Sequence, residues 1–170
     1  GLRVGARDGL LGAVDGFLGT FELNPSEAYG LAEYAVFLAV MARREEAVAR
    51  ADEAVDLSPL DLSIRSKRAA VHLFVGLPER TLSDTAWVLE IEPGYMPALM
   101  MAGLAEQAMG RYEDAVHTFR HLDEQLTPEL RLYSGLEQAW RDGGSVGYWN
   151  YIRRISKSLG DSYSEALACI

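Results

Sequence analysis

The stretch from Met96 to Leu122 reads MPALMMAGLAEQAMGRYEDAVHTFRHL, and it decides the fold. It places the small residues Gly103 and Ala115 in two apolar segments, with the bulky Phe119 one turn after the second of them. Two helices approach closely where side chains are small, and bulky side chains fill the space around such a contact. Gly110 tolerates the positive φ that ends a helix. The stretch therefore predicts two short helices joined by a turn at residues 110–112.

The same unit recurs along the chain with a fixed period. Pro25, Pro59 and Pro93 are equally spaced and close the phrases FELNP, VDLSP and LEIEP. A fourth phrase, DEQLTP, ends one residue late at Pro128. Because proline cannot continue the hydrogen-bond ladder of a helix, each of these prolines marks the end of one. The period, about 34 residues, is typical of stacked helix pairs.

In its period and residue types the chain resembles the tetratricopeptide repeat (TPR) family. The unit described first matches the family motif at its small positions, Gly103 and Ala115, and at its aromatic position, Phe119. The preceding unit departs most, since Thr81 and Thr85 replace the small and the aromatic residue. The resemblance implies an all-α fold, a right-handed superhelical solenoid of antiparallel helix pairs.

We expect one domain over residues 1–170, with a half repeat at 1–25, repeats at 26–59, 60–93, 94–127 and 128–160, and the start of a further helix at 161–170. Glycines at 9, 12, 16 and 19 share one stripe of the half repeat. This stripe is either a flat face for another helix or the frayed end of the array. Because the chain opens in mid-repeat and without methionine, we expect it to be a piece of a longer protein. The GYW helix of the last repeat is similar to the C-terminal arrays of bacterial signalling proteins and transcription regulators.

Charge and composition exclude several classes of function. The net charge of −9 disfavours nucleic-acid binding through this domain, which needs a basic face. No uncharged apolar run approaches the ~18 residues that a membrane helix needs, so we expect no membrane partner. A single cysteine, Cys169, argues against a disulfide framework and favours a reducing, cytoplasmic location.

In the family, the first helices of successive repeats line a concave groove that binds peptides. Carried over unit by unit, the resemblance places these residues in the groove: Tyr29, Ala32, Val36, Val40, Ser66, Lys67, Ala70, Phe74, Met100, Leu104, Gln107, Leu132, Leu136 and Trp140. The surface they predict is largely apolar. TPR proteins that capture chaperone C-termini use a clamp of Lys, Asn and Arg on these helices. Only Lys67 matches that clamp, so we expect none here.

Basic residues in the divergent repeat have two interpretations. Arg65, Arg68 and His72 share one helix face, and Arg68 takes the place of a leucine that the motif buries. They form either a cationic contact for an acidic peptide or an internal ion pair with Asp52 or Asp56. Trp87 in the same repeat falls on a position that usually faces outward. It is either a contact residue or the result of a local shift in packing.

No pattern indicates catalysis or a cofactor. His117 and His121 have the spacing of two zinc ligands, but they lie on a solvated face and lack the glutamate of a zinc-protease helix. We therefore expect no metal, no cofactor and no enzyme activity. The sequence predicts a non-catalytic module that binds a protein or peptide of unknown identity in its apolar groove. The alternative is a homo-oligomerisation element, such as a homodimer, that packs through open ends near Phe17 and Leu167.

Overall fold

The computed structural model describes residues 26–158, and this part of the chain contains helices and no strand. The helices are α1 Ser26–Val40, α2 Arg44–Leu57, α3 Leu62–Phe74, α4 Pro78–Ile91, α5 Met96–Ala108, α6 Tyr112–Glu124 and α7 Leu136–Ser158, with a short 3-10 helix at Pro128–Leu130. The expectations for the half repeat at 1–25 with its glycine stripe, and for the helix at 161–170, lie outside the described residues.

The helices stack as pairs. Helices α1 and α2, α3 and α4, and α5 and α6 pack within their pairs. In addition, α3 packs against α1 and α2, while α5 packs against α3 and α4. Each pair therefore covers an apolar side of the pair before it, which is how a solenoid builds a continuous core. The predicted all-α solenoid of helix pairs is confirmed.

A residue with positive φ stands at the turn within each pair and recurs with the period of the repeat. These residues are Ala42 at 59°, Gly76 at 81°, Gly110 at 73° and Gly144 at 54°. At the first three, the next residue's N–H donates to the carbonyl five residues earlier, for example Leu77 to His72 at 2.8 Å. This bond is the one that closes a helix in the Schellman motif, in which glycine is favoured at the positive-φ position. Gly144 breaks α7 into two segments, since its ψ of −139° is not helical.

Helices within a pair approach most closely at small residues. A Cβ atom on Gly103 would lie 2.6 Å from Cε1 of Phe119, across the contact between α5 and α6. A Cβ on Gly147 would lie 2.0 Å from the carbonyl oxygen of Ala139, across the break in α7. No side chain fits at these distances, so glycine sets the spacing of both helix pairs.

The last repeat begins differently from the prediction. Leu132, expected on its first helix, lies in irregular chain, and the helix starts at Leu136. The carboxylate of Asp123 accepts hydrogen bonds from the N–H of Leu132 at 3.0 Å and of Tyr133 at 2.8 Å. The ring of Tyr133 stacks on Phe119 with centroids 4.3 Å apart. Because these contacts hold the segment in a non-helical form, the placement of Leu132 on a helix is wrong.

Candidate functional site

The first helices of the three regular pairs lie side by side, since α3 packs against both α1 and α5. Equivalent positions of successive repeats carry apolar side chains along this row: Val36, Ala70 and Leu104 in one line, and Val40, Phe74 and Ala108 in another. Val40 is 68 % exposed, although it is a large apolar residue. Because large apolar residues are exposed along it, this row is a candidate contact site.

The fourteen predicted groove residues fall into three groups by burial. The exposed ones are Tyr29, Val40 and Phe74; the half-buried ones are Val36, Lys67, Ala70, Met100, Leu104, Leu132 and Trp140; the buried ones are Ala32, Ser66, Gln107 and Leu136. The buried four present almost no surface to a ligand. The prediction is corrected at these positions, because neighbouring helices pack over them.

The C-terminal part of the predicted groove is partly covered by side chains of the chain itself. The hydroxyl of Tyr148 donates to Oε1 of Gln107 at 2.9 Å, and the hydroxyl of Tyr133 lies 3.9 Å from Sδ of Met100. Leu104 and Trp140 pack against the hydrophobic cluster of α5, α6 and α7 that contains Phe119 and Tyr148. The three exposed groove residues lie in the N-terminal part. We name this part the apolar face and define it as Tyr29, Val36, Val40, Ala70 and Phe74.

The one basic residue predicted in the groove is already paired. Nζ of Lys67 lies 2.6 Å from Oε1 of Glu33 and 4.7 Å from the ring centroid of Tyr29. The hydrogen bond from Lys67 lowers the pKa of Glu33. The pair therefore brings no net charge to the surface beside Tyr29.

The interior of the divergent repeat is polar. Arg68 donates two hydrogen bonds to Asp84, from Nε at 3.0 Å and from the terminal nitrogen at 2.6 Å. Its other terminal nitrogen donates to Asp52 at 3.0 Å. Asp84 is only 4 % exposed as a side chain. The interpretation of Arg68 as an internal ion pair is confirmed with Asp52, whereas Asp56 is not its partner and Asp84 was missed.

Two further side chains complete this cluster. Nδ1 of the buried His72 lies 3.2 Å from Oδ2 of Asp84, close enough for an ion pair but not aligned as a hydrogen bond. Arg65 lies 3.6 Å from Asp84 and covers the half-buried ring of Trp87 at 4.0 Å. Burial alone would raise the pKa of Asp84, but contacts with His72 and Arg68 outweigh it and lower that pKa. All the basic residues of this face are therefore engaged internally.

The histidines of α6 do not form a metal site with their neighbours in the part of the chain that the structure describes. His117 is exposed, and its Nδ1 lies 3.3 Å from a guanidinium nitrogen of Arg120. Within residues 26–158, no three His, Cys, Asp or Glu side chains are grouped so that they could hold a metal ion. None of the helices in the same range combines the length and the apolar character that crossing a membrane requires.

Comparison with known proteins decides the fold. The crystal structure of MamA covers 98 % of this chain and 98 % of its own at 12 % identity, with a TM-score of 0.62. A tetratricopeptide repeat protein from Parabacteroides merdae covers 93 % of this chain and 63 % of its own at 18 % identity, with a TM-score of 0.65. This chain has the TPR fold. No protein-family model and no curated protein sequence matches it.

A third TPR structure is informative because it holds a ligand. The first TPR domain of Spaghetti (RPAP3), bound to the HSP90 peptide SRMEEVD, covers 81 % of this chain and 96 % of its own. The identity is 18 % and the TM-score is 0.57. Three of the last four residues of that peptide are acidic. In this chain the basic residue beside the apolar face, Lys67, is paired with Glu33.

Sequence reasoning also missed a second set of exposed apolar residues in this TPR chain. Leu57 and Ile91 end α2 and α4 and are 53 % and 56 % exposed. The signal was present in the repeated phrases, since each residue stands two positions before Pro59 or Pro93. These phrases were interpreted only as helix ends.

Proposed function

We propose that this chain is a non-catalytic protein-interaction module that binds an apolar helix or peptide on its apolar face. We assign the repeats to 26–59, 60–93, 94–127 and 128–160 of a larger cytoplasmic protein of bacterial signalling or regulation. The observation that carries the proposal is the exposure of Val40 and Phe74 at equivalent positions of packed helices. An amphipathic helix docks by laying its apolar side into such a surface.

The ion pairs of Lys67 and Arg68 favour one kind of ligand. A carboxylate-rich peptide needs unpaired Lys or Arg side chains to replace its lost hydration. Lys67 is committed to Glu33, and Arg68 is committed to Asp84 and Asp52. We therefore infer that the ligand is an uncharged or weakly charged apolar segment and not an acidic C-terminal peptide.

The test is fluorescence anisotropy with two labelled peptides and the full chain. One probe is a four-turn amphipathic helix of Leu, Gln and Ala, and the counter-probe is the acidic peptide SRMEEVD. We expect the first to bind and the second not to bind. Val40→Glu and Phe74→Glu should each abolish binding of the Leu-containing probe, because they place a charge in the apolar contact.

Val146→Glu is the matched control. Val146 is 69 % exposed, almost the same as Val40, but lies in the C-terminal segment of α7 away from the apolar face. Binding that survives Val40→Glu and Phe74→Glu would refute the site. Tight binding of SRMEEVD by the unmodified chain would refute the apolar ligand class. Light scattering across a concentration series shows whether a second copy competes for the face.

A further inference from the structure

The connections between successive helix pairs carry a stripe of exposed apolar side chains that the apolar face does not include. We name it the loop edge and define it as Leu57, Leu60, Ile91, Met96 and Leu130. Leu60 is 79 % exposed. Since α2, α4 and α6 run in the same direction in a stack of antiparallel pairs, these connections lie at one end of the helices. A row of large exposed apolar residues at one edge indicates a contact surface.

Carboxylates interleave with the apolar side chains of the loop edge. Asp56 precedes Leu57, and Glu90 and Glu92 flank Ile91, all of them at least partly exposed. Within residues 26–158, none of these three carboxylates takes part in an ion pair. The edge is therefore both apolar and negatively charged.

The positions of these carboxylates oppose helix stability. Asp56 and Glu90 lie in the last turns of α2 and α4, which contain no basic residue. A helix C-terminus carries a partial negative charge, so an acidic residue there costs about 0.3–1 kcal/mol relative to a favourable one. The two positions are equivalent in successive repeats. Negative charge at this edge is thus present although local stability disfavours it.

Arg65 and Arg131 lie near the edge but do not neutralise its carboxylates. Arg65 donates to the carbonyl oxygen of Pro59 at 3.3 Å and faces Asp84 and Trp87. Arg131 donates to the carbonyl oxygens of Asp123 at 3.0 Å and Leu126 at 3.3 Å. Both guanidinium groups donate to acceptors of this chain, and neither forms an ion pair with Asp56, Glu90 or Glu92.

We propose that the loop edge binds a basic amphipathic segment of a partner protein, with Leu or Ile side chains between Lys or Arg. The apolar residues of the partner would contact Leu57, Leu60 and Ile91, and its cations would face Asp56, Glu90 and Glu92. Complementary charge favours such an encounter and gives it specificity. The same negative charge repels nucleic acid and anionic lipid surfaces. The loop edge differs in position and in charge from the apolar face, so both can be occupied together.

The probe is a labelled amphipathic peptide of Leu and Lys, with its Leu and Glu counterpart as the opposite-charge control. Fluorescence anisotropy with the full chain should show binding of the Leu and Lys peptide only, weakened by salt as screening grows. The double variant Asp56→Lys with Glu90→Lys should weaken binding by about tenfold or more. Leu60→Ser should weaken it without any change of charge.

The matched control is Glu45→Lys with Glu113→Lys, which changes the net charge equally at the opposite helix ends. Unchanged affinity in this control together with loss in the edge variant supports the proposal. Equal loss in both variants means general attraction to an acidic protein and overturns it. If the Val40→Glu variant no longer binds the Leu and Lys peptide, the peptide binds on the apolar face, and the proposal is also overturned. The uncharged peptide of Leu, Gln and Ala tests the apolar face separately. If it fails to bind, the binding of the Leu and Lys peptide at the loop edge is unaffected.

Discussion

Phe119 fills the space that Gly103 leaves open by having no side chain. The absent Cβ would lie 2.6 Å from Cε1 and 2.8 Å from Cζ of the ring. Both residues are buried, and Phe119 also stacks on Tyr133. The ring cannot retreat without disturbing that stack, so the contact between α5 and α6 depends on glycine.

Gly103→Leu should destabilise the chain by about 3 kcal/mol, because overpacking a rigid contact displaces both helices. Urea unfolding followed by circular dichroism measures the change. Gly143→Ala is the control, since nothing lies within 4 Å of a Cβ there. That change should leave stability unaltered or raise it by up to ~1 kcal/mol, as alanine favours a helix more than glycine does. Equal effects of the two substitutions would contradict the role of Gly103.

Asp84→Asn should cost about 3 kcal/mol at neutral pH, since removing one partner of a buried pair leaves the other charge uncompensated. Arg68 then retains only Asp52, whose side chain is about half exposed. Glu53→Gln removes one partner of the exposed Arg50–Glu53 pair and should cost less than ~1 kcal/mol. Thermal unfolding of both variants gives the comparison. A loss for Asp84→Asn no larger than for Glu53→Gln would show that the cluster is not a stabilising element.

The lowered pKa of Asp84 predicts that stability depends on pH. The pKa of Asp84 is lowered from its ordinary value of 3.8, so its contribution to stability is complete above that value. The contribution is lost as pH falls through the lowered pKa in the folded state. The stability difference between the parent chain and Asp84→Asn should therefore shrink as the medium is acidified below pH ~4. A difference that stays constant down to acid pH would assign the loss to packing instead.

Glu106→Gln should stabilise the chain at neutral pH. Burial raises the pKa of Glu106, and its Oε2 is buried without a hydrogen bond. Because its pKa is raised in the folded state, the ionised carboxylate destabilises that state. This destabilisation reaches its full size by pH 7. The gain should vanish as pH falls below ~4.5, where the carboxyl is neutral in both states. Urea unfolding at both pH values checks this, and the exposed Glu113→Gln should show no gain.

Ala42→Gly should also stabilise, by about 0.5–1 kcal/mol, since alanine strains the left-handed backbone that glycine adopts freely. Ala42 has a φ of 59° where the next three turns have glycine. Ala35→Gly in the helix interior should do the opposite. Thermal unfolding of the two variants measures both changes. If both substitutions destabilise, the unfolded chain's entropy outweighs the strain at residue 42.

The sequence predicted what depends on local pattern. The spacing of Pro59 and Pro93 and the small residue Gly103 predicted the helix pairs, because these residues act on the helix in which they stand. It did not predict the start of α7, since a side chain from α6, Asp123, competes for the backbone there. Nor did it predict that Gln107 is buried, which depends on Tyr148, a residue 41 positions away.

Some residues of the candidate sites likewise follow from local sequence pattern, and others depend on tertiary packing. The exposure of Val40 and Phe74 follows from their helical positions and could be predicted. Asp84 could have been found from Arg68, since a charge at a buried position of the motif requires an opposite one nearby. Which neighbouring helix supplies it depends on tertiary packing. The loop edge was missed because Leu57 and Ile91 were interpreted as part of a helix-end signal.

Arg68 joins Asp52 of α2 to Asp84 of α4, so its charge is shared between successive helix pairs. Helical arrays lengthen and shorten by gain or loss of whole units, which requires that one unit can replace another. The pair α3–α4 cannot be relocated within the array without cost, because Arg68 forms an ion pair with Asp52 of the unit before it. Placed behind a different neighbour, it would lose one counter-ion, whereas within residues 26–158 no ion pair joins α5–α6 to the unit before it. The order of units in this chain is therefore under chemical constraint where α3–α4 follows α1–α2.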